Sequence, residues 1–172
     1  MNGWIVALVL ILNFILQSTV FQYIAVMGVK PDTALAIVVA LGTFMGKERG
    51  ALIGATAGML QDTIFGAPVG ITTLSYMLTG YIVGENSDKV FKEHLVVPLI
   101  FTAGATLIKY VIVIFFNYAL GIQTPILTYI RHFLPIEMLY NCVVSMVLYR
   151  FLFALFSRKS HKDRLKMKRK RK

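Results

Sequence analysis

Two ionisable residues, Asp62 and Lys109, lie within long apolar stretches of the sequence. A charge inside a membrane-spanning segment is costly, so such residues are functional candidates by default. Counted from expected helix starts at Gly50 and Leu95, Asp62 lies roughly 18 Å and Lys109 roughly 21 Å along their helices. The matching depths predict a buried ion pair, which serves either the fold alone or a site that contacts a ligand or partner.

Two further polar groups flank the first apolar segments. Asn13 and Gln17 are four residues apart and share a helix face, which we expect to look into a helix bundle. Pro31 and Asp32 form a turn, in which Pro31 cannot continue a helix and Asp32 can cap the next one. The turn is a candidate contact site, although a cap explains it equally well.

Glu137 and Asn141 are one turn apart in the last apolar segment. A carboxylate in the first turn of a helix suits the helix dipole, which gives Glu137 an ordinary explanation. Asn141 extends a polar strip on the same face. The sequence contains no catalytic motif, and three scattered histidines with one cysteine do not form a metal site. We therefore predict no enzyme, no metal and no cofactor, with a proton relay through Asp62 as a weak alternative.

Glycine recurs at every fourth position in the middle of the chain, and the same phase leads on to Asp62. These glycines are Gly42, Gly46, Gly50, Gly54 and Gly58. Small residues at this spacing let two membrane helices approach closely. They serve helix packing alone, or they build a tight hairpin that positions Asp62.

The composition is that of a membrane protein with several spans, since 57% of the 172 residues are hydrophobic. The formal net charge is +10, and ten of the 18 Lys and Arg residues follow Ser157. A basic tail beside a membrane indicates topology and contact with anionic lipid, while nucleic-acid binding is a weak alternative. The single cysteine, Cys142, cannot form a disulfide within the chain.

The apolar segments predict an all-α fold, a bundle of six transmembrane helices followed by a basic cytoplasmic tail at 158–172. The expected spans are 4–27, 33–45, 50–65, 71–84, 95–120 and 135–156. The first is interpreted as an uncleaved membrane helix. Fourteen of the 18 Lys and Arg residues fall on the side that carries both ends of the chain. The positive-inside rule therefore places both termini in the cytoplasm.

Several short motifs in this order and spacing resemble the MreD family. They are Leu16-Gln17-Ser18-Thr19, Pro31-Asp32, Gly50-Ala51-x-x-Gly54, Gly58-Met59-Leu60-Gln61-Asp62, Gly70 with Leu74, and Gly80-Tyr81-x-x-Gly84. The resemblance covers nearly the whole chain, with its motifs concentrated between residues 16 and 84. The long basic run at the C-terminus goes beyond the family pattern.

The resemblance implies a non-enzymatic component of the bacterial rod-shape machinery in the cytoplasmic membrane. Its partners would be the bitopic protein MreC and, indirectly, MreB filaments and the transglycosylase and penicillin-binding transpeptidase of lateral wall synthesis. The family also resembles the substrate-binding subunits of energy-coupling-factor transporters. On this basis we expect the glycine-lined helices to receive a partner's single span. The turns near Asp32 and at Gly66 to Gly70 would contact the partner just outside the membrane. The Asp62 region would form a polar pocket that tunes or senses this binding.

Two other functions remain open from the sequence. A small-solute-binding subunit of an energy-coupling-factor transporter would place Asp62, Lys109 and Asn141 around its solute. A lipid-binding or lipid-flipping protein would use the apolar helices and the basic tail.

Overall fold

The computed structural model describes residues 3–19, 29–65, 70–87, 96–121 and 129–169, with side chains described as far as Ala154. Every regular element in these ranges is a helix. The helices are α1 (Gly3–Thr19), α2 (Thr33–Met45), α3 (Lys47–Phe65), α4 (Ile71–Glu85), α5 (Val96–Ala119) and α6 (Leu134–Arg169), with a π-helical turn (Tyr129–Phe133) before α6. The expected end of the first span at 27, the turn residues 66–69 and the loop at 88–95 lie outside the described residues.

Helix α2 is the centre of the fold, and every residue from Thr33 to Thr43 is buried. A helix that is apolar on all sides must be covered on all sides, and α2 packs against α1, α3, α4, α5 and α6. It begins at Asp32, whose side chain accepts a hydrogen bond from the Leu35 N–H at 3.0 Å. It ends at Gly46, where a φ of 83° suits glycine. At 13 residues, α2 is about 20 Å long.

Helices α3 and α4 form the closest pair in the fold, and glycines make this approach possible. A Cβ atom at Gly54 would overlap the backbone carbonyl of Tyr76, and one at Gly58 would lie 2.5 Å from the Thr73 Cα atom. The four-residue spacing in α3 thus serves packing within the chain. The expectation that this face receives a partner's helix is wrong, because α4 occupies it.

Two helix boundaries differ from the sequence expectation. Helix α3 begins at Lys47, so residues 47–49, expected in a loop, form its first turn. Gly46 alone provides the reversal, and Glu48 in the first turn suits the helix dipole. Helix α6 runs on to Arg169 instead of ending near Phe156, so the expected boundary at 157/158 falls inside a helix. No glycine or proline follows Pro135 in the sequence to stop it.

Two of the described helical segments are long and apolar enough to cross a membrane, Val96–Ala119 and Ile130–Ala154. Helices α1 and α2 are apolar but shorter in the described part of the chain. Helix α1 is the most loosely attached helix. Only Val6, Leu10 and Asn13 of its residues are buried, and it packs mainly against α2.

Candidate functional site

The first part of the site is the set of contacts around Asp32, at the start of α2. Its side chain is buried, and one oxygen accepts hydrogen bonds from the Leu35 N–H and the Tyr76 hydroxyl of α4. The other oxygen lies 2.7 Å from the ammonium nitrogen of Lys109 on α5. The helix cap expected from the sequence is therefore also an ion-pair partner.

Lys109 bridges two carboxylates rather than one. Its Nζ atom lies 2.7 Å from Asp32 Oδ2 and 2.7 Å from Glu137 Oε1, and the Tyr110 hydroxyl donates to Glu137 Oε2 at 2.7 Å. Glu137 is 8% exposed. We call Asp32, Lys109 and Glu137 the charged cluster. It joins α2, α5 and α6, and its formal charge is −1.

The charged cluster is a fixed electrostatic centre. Charges that are removed from water need partners at good geometry, and each carboxylate here has a cation and at least one neutral donor. Lys109 uses two of its three N–H groups on these carboxylates, and its side chain is 20% exposed. The described residues provide Lys109 with no third acceptor, which leaves one N–H group for a ligand, a partner or water.

Asn141 extends the cluster into a line of polar contacts between α5 and α6. Its Oδ1 atom accepts from the Asp32 N–H at 2.7 Å, and its Nδ2 donates to Thr106 at 3.2 Å. One turn away, the Thr102 hydroxyl donates to Ser145 at 2.7 Å. Asn141, Thr102 and Ser145 are fully buried, and these hydrogen bonds satisfy polar groups that burial would otherwise penalise.

A cavity of about 420 Å³ opens beside the charged cluster. All three cluster residues line it, together with the α1 residue Gln17 and the α3 residues Gln61 and Phe65. The other lining residues are Val29, Lys30, Pro31, Tyr110 and Phe133. The cavity thus combines charges, amides and three aromatic rings at the site where α1, α2, α3, α5 and α6 meet.

Asn13 and Gln17 face the bundle. Asn13 is buried and donates to Gln17 Oε1 at 3.5 Å, and the Thr33 hydroxyl donates to the same oxygen at 3.4 Å. Gln17 therefore connects α1 to the start of α2 at the edge of the cavity. Pro31 lines the cavity beside Asp32.

The predicted pairing of Asp62 with Lys109 is wrong. Asp62 is 1% exposed and accepts hydrogen bonds from the N–H groups of Gly70, Thr72 and Thr73 at 2.8, 3.2 and 3.0 Å. The Thr73 hydroxyl adds a fourth at 2.8 Å. Two residues at equal depth in two helices can still point in different directions. The Asp62 side chain lies on the glycine face of α3, which packs against α4. It compensates the positive N-terminus of α4.

Three predicted site residues thus have a packing role inside the α3–α4 hairpin. Gly54 and Gly58 permit close approach, and Gly70, with φ of 106°, donates to Asp62 at the start of α4. Three others, Asp32, Lys109 and Asn141, meet in one network.

Glu137 is a site residue that the sequence did not predict, because a first-turn carboxylate has an ordinary explanation. The signal that could have included it is Asn141 one turn later, on the face that meets Asp32. Nothing in the sequence indicated the phenols of Tyr76 and Tyr110 as partners.

A second ion pair lies at the opposite end of α3. Lys47 Nζ is 2.8 Å from Glu85 at the end of α4, and both side chains are about half exposed. The hydrogen bond and the negative charge of Glu85 raise the pKa of Lys47. This pair joins the start of α3 to the end of α4 at the end of the hairpin opposite Asp62.

Among the described residues, no three of His, Cys, Asp and Glu are grouped so that they could hold a metal ion. The arrangement around the charged cluster is suited to binding through hydrogen bonds and charge.

Comparison with protein families shows that residues 1–159 match the model of the rod shape-determining protein MreD. No curated protein matches the chain. No solved structure matches it either.

Proposed function

The chain belongs to the MreD family of rod shape-determining membrane proteins, and on this premise we propose that it is a non-enzymatic scaffold that binds the bitopic protein MreC. Through MreC it would support lateral peptidoglycan synthesis by the transglycosylase and the penicillin-binding transpeptidase, with MreB filaments as indirect partners. The family match over residues 1–159 is the observation that carries this function.

We propose a bundle of six spans in the bacterial cytoplasmic membrane, with both termini in the cytoplasm. The distribution of Lys and Arg supports this orientation. In this arrangement the short α2 is lined by other helices over most of its length, which a buried helix requires. The Lys47–Glu85 pair would lie at the cytoplasmic surface and the charged cluster toward the external one.

For the partner site we propose the cavity beside the charged cluster. The glycine face of α3 is occupied by α4, so a partner must use another surface. The cavity has the features of a specific contact, namely a fixed ammonium group with one N–H group to spare, two amide side chains and an aromatic wall. The segment of MreC that leaves the membrane would enter it.

The experiment is co-purification of the tagged chain from its native membrane in mild detergent. Gln61→Trp fills the cavity from α3, where Gln61 is only partly buried. Met59→Trp is the matched control, because Met59 is 62% exposed on the same helix and does not line the cavity. We expect Gln61→Trp to lower MreC recovery at least about tenfold, as loss of a central interface contact does, while Met59→Trp leaves it unchanged.

Size-exclusion profiles of both variants show whether each remains folded. Equal MreC recovery with both variants would exclude the cavity as the partner site. Recovery of an ATPase module with a stoichiometric small solute, and no MreC, would overturn the scaffold function.

A further inference from the structure

A second cavity, larger than the one beside the charged cluster, lies between the first half of α1 and α3. This groove has a volume of about 640 Å³ and runs between the first half of α1 and the length of α3 from Arg49 to Leu60. Its walls are apolar, with Val6 and Leu10 on one side and Leu52 on the other. Because α1 packs mainly against α2, the described residues leave the groove open on its outer side.

The length of the groove matches one leaflet of a bilayer. From Arg49 to Leu60 the α3 axis advances about 16 Å, and half of a hydrocarbon core of ~30 Å is about 15 Å. Beyond Leu10 and Leu60, the space between α1 and α3 narrows to about 10 Å³ before it reaches the cavity beside the charged cluster. A spanning helix of a partner needs the full thickness, whereas a single acyl chain ends where this groove ends.

The positive charge of Arg49, at one end of the groove, suits an anionic lipid headgroup. Arg49 lines the groove and is exposed, and the described residues provide it with no hydrogen-bond or ion-pair partner. Lys47 in the same turn is held by Glu85, and Glu48 does not line the groove. Arg49 also lies in the first turn of α3, where free backbone N–H groups favour a negative charge. A guanidinium group can bind a phosphate through two parallel hydrogen bonds.

We propose that the α1–α3 groove is a binding site for one anionic phospholipid, with an acyl chain between the two helices and the phosphate on Arg49. The site is independent of the MreC contact, and only its assignment to the cytoplasmic leaflet rests on the proposed orientation.

Native mass spectrometry of the purified chain, released from nanodiscs that contain equal phosphatidylglycerol and phosphatidylcholine, tests the site without MreC. We expect one retained phosphatidylglycerol with about fivefold preference, the size of effect that one basic residue has at an anionic surface. Arg49→Gln should abolish the preference, and Arg49→Lys should retain part of it. Arg150→Gln, at an exposed arginine of α6 outside the groove, should keep it in full.

Ala7→Trp fills the groove from α1 and should reduce retention of both lipids, which separates the groove from the headgroup contact. Retention of phosphatidylglycerol that is equal in the wild type and Arg49→Gln would overturn the proposal. So would displacement of the lipid by added MreC together with loss of MreC binding in Ala7→Trp, since the groove would then hold the partner's helix.

Discussion

Asp32 and Asp62 are both buried aspartates that compensate the N-terminus of a helix, yet their surroundings differ. Among the described residues, Asp62 receives four hydrogen bonds, and these come from residues 70–73 at the start of α4. Asp32 receives its bonds from α2, α4 and α5, and one of these donors is the ammonium group of Lys109. Only Asp32 lines the polar cavity.

This difference shows that the role of a buried carboxylate depends on which helices supply its hydrogen-bond donors. Neutral donors from the next helix of one hairpin close that hairpin and leave nothing for a partner. Donors from several helices fix the relative positions of those helices, and a carboxylate that is shared with Lys109 at a cavity wall is available to sense what binds there. We therefore propose that Asp62 contributes stability and that the charged cluster contacts the partner.

Removal of Lys109 should have the largest effect on this comparison. Lys109→Met leaves two buried carboxylates without their cation, and breaking a buried ion pair in this way costs about 3–5 kcal/mol. We expect a large fall in the free energy of unfolding, measured by denaturant titration in detergent. The triple variant with Asp32→Asn and Glu137→Gln should recover most of the stability but not MreC binding. If Lys109→Met alone is as stable as the wild type, the cluster does not hold the helices together.

A methyl group in the α3–α4 interface should have the next largest effect. Gly54→Ala places a Cβ atom against the Tyr76 backbone, and overpacking of this kind costs about 1–3 kcal/mol. Gly104→Ala on α5 is the control, because a Cβ atom there meets nothing within 4 Å. We expect the thermal midpoint to fall only for Gly54→Ala. Equal midpoints would mean that the hairpin around Asp62 is not closely packed.

Replacing each of the two aspartates by asparagine tests their different roles directly. Asp62→Asn replaces one acceptor oxygen by a donor that faces other donors, so we expect a loss of about 1–2 kcal/mol in stability with MreC recovery unchanged. Asp32→Asn should lower MreC recovery. The paired measurement is the unfolding free energy and co-purified MreC for each variant. Loss of MreC in Asp62→Asn at full stability would reverse the two assignments.

The exposed Lys47–Glu85 pair should give the smallest effect, since water screens both charges. Because its pKa is raised, Lys47 contributes stability below its ordinary value of 10.5, and that contribution is lost as the pH rises through the higher folded-state pKa. The difference in thermal midpoint between the wild type and Lys47→Gln should therefore be small and constant from about pH 6 to pH 9. A difference that varies within this range would contradict it.

The parts of the fold that could be predicted from sequence are those that local chemistry determines. Pro31 and Asp32 mark the start of α2, and Gly70 marks the start of α4. The sequence predicted an end of α6 near Phe156, because the apolar segment ends there. The helix continues beyond it through basic residues, which favour helix.

The site was predicted in part, for a related reason. Lys109 was identified because a charged group in an apolar segment needs a partner, and Asn141 because it extends a polar strip. Asp32 was identified because it lies in a turn and can cap the next helix. Which groups pair depends on the rotation of each helix about its axis, and that rotation is set by packing across the whole bundle. The glycine contacts turn Asp62 toward α4, which leaves Lys109 to Asp32 and Glu137.

The most direct test of the partner site is photocrosslinking in the native membrane. A benzoylphenylalanine at Phe65 changes an aromatic residue of the cavity wall conservatively. The same residue at Phe115, which is 64% exposed on α5 and lies outside the cavity, is the control. We predict a crosslink to MreC from position 65 and none from position 115. A crosslink to MreC from position 115 alone, or equal crosslinks from both, would contradict the assignment of the cavity as the partner site.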